Sequence, residues 1–223
     1  MLEKKAVLNE INFQQVLYYL GYRGQELDDS LLKQINDCIQ IIEAKAQPKI
    51  VYRIFEVEDG KIDSLPLEGK DIENLLKNAK YAVVFAATIG NDVEKELIRL
   101  EVINMANALI LDACGSCAIE SVCDCFEEEI RNDYKEKKLY VSDRFSPGYG
   151  DLPMDSQKLI CEMLDTSRQI GVHVTDSYLM TPRKSVTAIL AISQTPFVLR
   201  KKGCEVCRLF MNCQYRKEGK TCE

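Results

Sequence analysis

Arg144 and Tyr149 are the residues whose types and setting could best hold a ligand. They sit in Arg-Phe-Ser-Pro-Gly-Tyr-Gly-Asp-Leu-Pro, residues 144–153. Pro147-Gly148 is a turn dipeptide, Gly150 permits a backbone that no Cβ could follow, and Pro153 stiffens the exit. Two glycines around a tyrosine let a flat ligand approach the main chain closely, while the ring and the guanidinium supply contacts. The same composition also fits an ordinary surface loop joining a strand to a helix.

Glu120 is the second candidate, set in Gly-Ser-Cys-Ala-Ile-Glu-Ser-Val-Cys-Asp-Cys, residues 115–125. A carboxylate among Ala118, Ile119 and Val122 either lies on the solvent face of a helix or is buried beside a cation. Gly115 and Ser116, about one turn away, would let a ligand or another backbone come close. Cys114, Cys117, Cys123 and Cys125 share this segment, and small thiols pack there as ordinary apolar residues. The C-terminal thiols differ. Cys204-x-x-Cys207, Cys213 and Cys222 lie in a basic, turn-like stretch with Lys201, Lys202, Arg208, Arg216 and Lys217. Four thiolates so placed could close on zinc or hold an iron–sulfur cluster; a redox pair and an inert tail are the alternatives. His173, the single histidine, sits in an alternating strand and reads as structural. One histidine, read as structural, argues against a catalytic triad built on histidine or a multi-histidine metal site.

The elements that must position these residues follow from periodicity. Asn12–Gly21 carries a helical apolar stripe closed by glycine, and Asp28-Asp29-Ser30 caps a second helix that ends at Pro48. Residues 50–57 read as a strand, joined through Asp59-Gly60 to a weaker strand over 61–67. A short helix over 71–78 precedes Tyr81–Ala87, a continuous apolar run expected of a central strand. Residues 93–101 are helical, and 103–137 form the longest helix. A strand at 139–142 runs directly into the 144–153 loop. Beyond it come a helix over 155–164 and two β-rich stretches, 171–180 and 185–193, joined by a hairpin turn at Pro182-Arg183-Lys184.

The chain has 223 residues, 46% of them hydrophobic and 29% charged, with a net charge of −6. That suits one large domain, or one domain with a small appendage. An acidic chain without a basic run argues against nucleic acid or an anionic membrane as the main partner. With no apolar span of about 18 residues and no signal-like start, a cytoplasmic location is expected. Ten cysteines without a signal peptide point to reduced thiols or metal ligands rather than a disulfide framework.

Four segments together resemble the activation (reactivation) domain of cobalamin-dependent methionine synthase, in its free-standing form. They are VVFAATIG (83–90), CAIESVCDCFEEEI (117–130), RFSPGYGDLP (144–153), and VTDSYLMTP followed by KSVTAILA (174–191). The resemblance implies a helmet-shaped α+β domain, with a mostly antiparallel sheet flanked by helices over residues 49–198. A helical N-terminal segment (1–48) and the Cys-rich tail (199–223) would flank it. It implies binding of S-adenosylmethionine and docking on the corrinoid-binding module of a methionine synthase or related methyltransferase. Inactive Co(II) cobalamin on that partner would be rescued by reductive methylation, with flavodoxin or another low-potential donor supplying the electron. The cobalt belongs to the partner. Glu120 falls on the family's acidic ligand contact, Arg144 on the arginine that holds the methionine part, and Tyr149 on the tyrosine that approaches the corrin. Gly148, Gly150 and Asp151 become main-chain contacts to the adenine. Where the fused domains read Gly-Tyr-Pro-Ala-Cys-Pro, this chain has Gly-Tyr-Gly-Asp-Leu-Pro. Two other readings stand beside this one: a redox or metal-binding module delivering electrons through the Cys tail, and a docking protein without a ligand site.

Overall fold

The computed structural model describes residues 2–22 and 25–198. In chain order the elements are β1 (Leu2–Lys5), α1 (Phe13–Tyr19), α2 (Asp29–Lys45), β2 (Lys49–Glu56), α3 (Lys70–Leu76), β3 (Ala79–Thr88) and α4 (Asn91–Ile103). They continue as α5 (Met105–Lys135), β4 (Tyr140–Val141), α6 (Ser156–Met163), α7 (Thr166–Gln169), β5 (His173–Val174), β6 (Met180–Thr181) and β7 (Ser185–Ser193). Five strands make an antiparallel sheet in the order β1-β2-β3-β7-β4, and β5 and β6 pair separately. This is an α+β domain.

Strand alternation divides the core into two layers. On β3, Val83, Phe85 and Ala87 face α1, α2, α4 and α5, whereas Ala82, Val84 and Ala86 face α3 and α6. Ala188, Leu190 and Ile192 of β7 join the first set, and Ile189 and Ala191 the second. Both central strands are therefore covered on both faces, which is why they read as unbroken apolar runs. Phe85 and Tyr52 each pack on Phe126 of α5, with ring centroids 5.0 and 5.1 Å away. Helix α1 starts where the Asn12 side chain accepts from the main-chain N–H groups of Gln14 and Gln15, and α2 where Asp28 accepts from Leu31.

Three expectations change. Residues 61–67 are not a strand; bridges Glu58–Lys61 and Ile62–Leu65 fold the segment on itself and bury Ile62 and Leu65. The stretch 171–180 does not pair with 185–193 as a hairpin. Its strand, β5, is two residues long and pairs with β6, leaving β7 to lie between β3 and β4. An unanticipated strand, β1, pairs with β2. The N-terminal helices also contribute Val16, Leu17, Ile35, Cys38 and Ile42 to the same core cluster as β3 and α5.

Candidate functional site

Helix α5 carries Glu120, Asp124 and Glu127 at spacings of four and three, so the three carboxylates form one stripe. The chain leaves α5, passes through β4 and brings Arg144 back across that stripe. Arg144 Nη1 donates to Asp124 Oδ1 at 2.6 Å and to Glu127 Oε1, and Nη2 donates to Glu120 Oε2. Glu127 is buried and also accepts from Arg131 Nη2 at 3.0 Å, and the same nitrogen reaches Asp143 Oδ1 at 3.0 Å. Burial alone would make the Arg144 guanidinium easier to deprotonate. The Glu127 and Glu120 carboxylates outweigh that and raise its pKa further. Four carboxylates thus surround two guanidiniums, and the cluster keeps a formal surplus of negative charge.

This cluster forms one wall of a cavity of about 400 Å³ at the edge of the sheet. Glu120, Glu127, Asp143 and Arg144 line one side; Ser185, Val186 and Thr187 of β7 line another. Ser146 and Tyr149 come from the loop, Gln157 from α6, and Met180 from β6. The Gln157 amide donates to the Tyr178 carbonyl at 2.5 Å and so joins α6 to the segment before β6. Tyr149 is 57% exposed at the mouth.

The start of β7 is held by two cations. Arg183 bonds Glu94 of α4 through its main-chain N–H (2.8 Å) and Nε (2.7 Å), and reaches Glu101 at 2.9 Å. Lys184 Nζ lies 2.8 Å from Asp112 and 2.9 Å from Ser116 on α5. Its aliphatic stem passes over Gly115, where a Cβ would come within 3.2 Å of it. The close approach expected at Gly115 is thus made by Lys184.

The predicted binding residues separate into two groups. Glu120, Arg144 and Tyr149, remote in sequence, meet at the cavity. Gly148, Gly150 and Asp151 do not line it. A Cβ on Gly150 would fall 2.1 Å from Asp71 Oδ2, and one on Gly148 would fall 2.9 Å from Met154 Cε. The Asp151 carboxylate accepts from the main-chain N–H groups of Lys70 (2.7 Å) and Asp71 (3.0 Å), at the start of α3. Those two bonds, the one from Asp71 most of all, hold the Asp151 carboxyl below its ordinary pKa. Gly150-Asp151 therefore ties the loop to α3.

Tyr19 of α1 is a neighbour that sequence reasoning missed. Partial burial, followed by the Glu120 carboxylate, pushes its hydroxyl up to about 12, with Tyr149 also contributing. Asp124, Glu127, Asp143, Lys184 and Thr187 were missed as well. Of these, the 120/124/127 stripe was visible as a helical repeat.

Cys114, Cys117 and Cys123 of α5 are buried core residues and Cys125 is half-buried; burial pushes the Cys117 thiol up to about 12. Among the described residues no group of three or more His, Cys, Asp or Glu could hold a metal ion. Cys204, Cys207, Cys213 and Cys222 lie outside the described residues. His173 is exposed, with Nδ1 2.8 Å from Ser167 Oγ. No described helix is long and apolar enough to cross a membrane.

Fold and site together define an α+β domain with a polar, acid-rich cavity at a sheet edge, closed by a Pro-Gly-Tyr-Gly loop. The profile of the family described as "Vitamin B12 dependent methionine synthase, activation domain" matches residues 71–196, and the chain belongs to that family. A solved structure titled "Crystal Structure of the MetH Reactivation Domain bound to AdoHcy" shares the fold. Its TM-score is 0.63 at 17% identity, over 85% of this chain and 77% of that one.

Proposed function

We propose that this chain binds S-adenosylmethionine in the Glu120–Arg144 cavity. It would support, in trans, the reductive methylation of Co(II) cobalamin held by the corrinoid-binding module of a methionine synthase or related methyltransferase. The observation that carries the reading is the convergence of Glu120, Arg144 and Tyr149 on one cavity, in a member of the activation-domain family. The AdoHcy bound to the structural neighbour supports the ligand class.

The chemistry of the wall fits that ligand. A surplus of carboxylates favours the sulfonium and ammonium groups, and Glu120, with its side chain 36% exposed, is the acid best able to meet them. Arg144 uses three of its five N–H donors on its carboxylate partners, so Nε–H and one Nη2–H remain for the ligand carboxylate. Within the loop, the N–H groups of Gly148, Tyr149 and Leu152 are used in its own turns. The N–H groups of Gly148 and Tyr149 are therefore not available to the ligand. Tyr149, exposed at the mouth, faces the side from which a corrin would approach. When the partner is docked, the methyl group passes to its cobalt with one electron from flavodoxin or another low-potential donor, and S-adenosylhomocysteine leaves.

Two measurements test this. Calorimetric titration of the intact protein should show stoichiometric S-adenosylmethionine binding. The protein should also restore turnover to an oxidised methionine synthase lacking its own activation domain, given a low-potential donor. Absence of binding removes the methyl-donor role; binding without restored turnover removes the action in trans.

A further inference from the structure

Helix α5 continues well past the cavity, and its outer face changes character on the way. Met105, Leu109, Asp112, Ser116 and Glu120 recur at spacings of four and three, so they share one face. At the cavity end that face is polar: Glu120 meets Arg144, and Ser116 and Asp112 hold Lys184. At the other end it is apolar and open, with Met105 66% and Leu109 64% exposed. Helix α4 ends at the same corner, where the Asn104 side chain caps α5 by accepting from Asn107 N–H at 3.1 Å. It adds Ile98 and Val102, one turn apart, and Ile103; Val102 is 84% exposed.

The corner is tied to the cavity. Glu101, between Ile98 and Val102, reaches Arg183 at 2.9 Å, just as Asp112, beside Leu109, reaches Lys184 at 2.8 Å. The next residue, Ser185, lines the cavity. Elsewhere α4 shows water ordinary charged residues, with Lys95 and Arg99 paired to Asp92 and Glu96. The corner instead exposes roughly 500 Å² of apolar side chain, as much as the largest patch of an ordinary monomer, and patches of that size commonly mark an interaction site.

We propose that Ile98, Val102, Ile103, Met105 and Leu109 form the apolar anchor on which the corrinoid-binding module of the partner methyltransferase docks. This rests on the reading of the cavity as a methyl-donor site acting in trans. The partner's cobalt must reach the sulfonium methyl, so the partner must lie over the cavity mouth. Leu109 lies about 16 Å from Glu120 along α5. An interface of standard size covers about 800 Å² of each partner, a patch roughly 30 Å across, so one module spans both the mouth and the corner. A separate chain also lacks the effective concentration that a tether supplies, and its affinity has to come from contact. Apolar side chains at the patch with a charged rim have the usual anatomy of such a contact. The Arg183 and Lys184 clamps fix the corner relative to the cavity, so docking at the corner sets where the cobalt meets the mouth. The partner surface beside its corrin should be apolar in turn.

The test is the dose dependence of restored turnover, with oxidised methionine synthase lacking its own activation domain and a low-potential donor. A Val102→Glu/Leu109→Glu double variant should need roughly thirtyfold more protein for half-maximal turnover. Its S-adenosylmethionine affinity by calorimetry should stay within about threefold, its urea midpoint should not move, and it should scatter light as a monomer, like the wild type. Ile54→Glu, a control at an exposed apolar position on β2, should shift the dose by less than about threefold. If the double variant matches the wild type in dose, the anchor is refuted while the methyl-donor reading stands. If the wild type restores no turnover, the action in trans and the anchor fall together. A wild-type dimer that the variant dissolves would give the corner to a second copy, and a lowered urea midpoint would mean that the chain itself covers it; either result overturns the proposal.

Discussion

Glu120 and Asp124 contact the same guanidinium from adjacent turns of α5, but only Glu120 lines the cavity. This separates a ligand contact from a support of Arg144. Each side chain is partly exposed, 36% for Glu120 and 45% for Asp124, and each is one of three carboxylates on Arg144. Exposed ion pairs contribute up to about 1 kcal/mol, so Glu120→Gln and Asp124→Asn should each lower unfolding stability by about that much or less. The binding costs should differ. A charge-assisted hydrogen bond to the ligand is worth about 1.5–3 kcal/mol, so Glu120→Gln should weaken S-adenosylmethionine roughly 10- to 150-fold. Asp124→Asn should change it by less than about threefold.

Urea denaturation and calorimetric titration of the two variants, side by side, give the four numbers needed. Equal losses of affinity would mean that both acids act through Arg144, and the direct contact of Glu120 would be refuted. An unchanged affinity in Glu120→Gln would remove the acidic contact altogether. Glu127 cannot serve as the comparison. It is buried between Arg131 and Arg144, and removing one partner of a buried charge pair costs about 3–5 kcal/mol, enough to obscure binding.

Three further outcomes are expected. Asp151→Asn removes one of the two oxygens capping α3 and should lower the urea midpoint at pH 7. Because the folded carboxyl is held below its ordinary value, that contribution is present above about pH 3.9 and is lost as pH falls through the folded value. The wild-type advantage should therefore shrink by pH 3, and a constant gap would refute the cap. Burial pushes the Cys38 thiol up to about 11 and the Cys117 thiol up to about 12, so their stabilisation is complete below about pH 8.5 and lost at higher pH. Stability should drop by about 2 kcal/mol per such thiol at pH 10, and a flat profile from pH 7 to 10 by urea titration would contradict it. Tyr149→Ala should leave stability within about 0.5 kcal/mol and impair restored turnover of the corrinoid partner more than S-adenosylmethionine affinity. Equal effects on both would place Tyr149 on the ligand rather than the partner.

Much of the fold was legible because β3 and α5 state their environments locally. A run such as Tyr81–Ala87 has one good solution, a strand covered on both faces, and α5 contains no proline and one glycine over 31 residues. Other parts depend on partners distant in sequence. Leu2–Lys5 has no strand pattern and becomes β1 because β2 offers an edge. Ile62 and Leu65, three residues apart, would face opposite sides of a strand, whereas a local turn buries both. At the site, the loop motif pointed to Arg144 and Tyr149. The acids of α5 read as a solvated charged face until β4 returned a guanidinium to them. That Phe145 pairs with Ile189 is a matter of register between segments about forty residues apart, which no local pattern encodes.

The stretch where this chain departs from the fused domains is explained by what surrounds it. Gly150 lies against Asp71, and Asp151 caps the helix whose first turn holds Asp71. The loop is thereby anchored on α3, which packs in the layer opposite α5. Its other end is anchored on α5 through Arg144. Pro147, Gly148 and Tyr149 span the interval between the anchors. A Pro-Ala-Cys sequence after the tyrosine could not place a carboxylate on the Lys70 and Asp71 N–H groups. Gly-Asp-Leu does so and also buries Leu152 in the α3–α6 layer. The departure therefore changes how the loop is held while keeping Arg144 and Tyr149 at the cavity. Exchanging residues 150–152 for Pro-Ala-Cys should loosen α3, seen as faster amide exchange at Lys70 and Asp71, before it alters the Arg144 cluster.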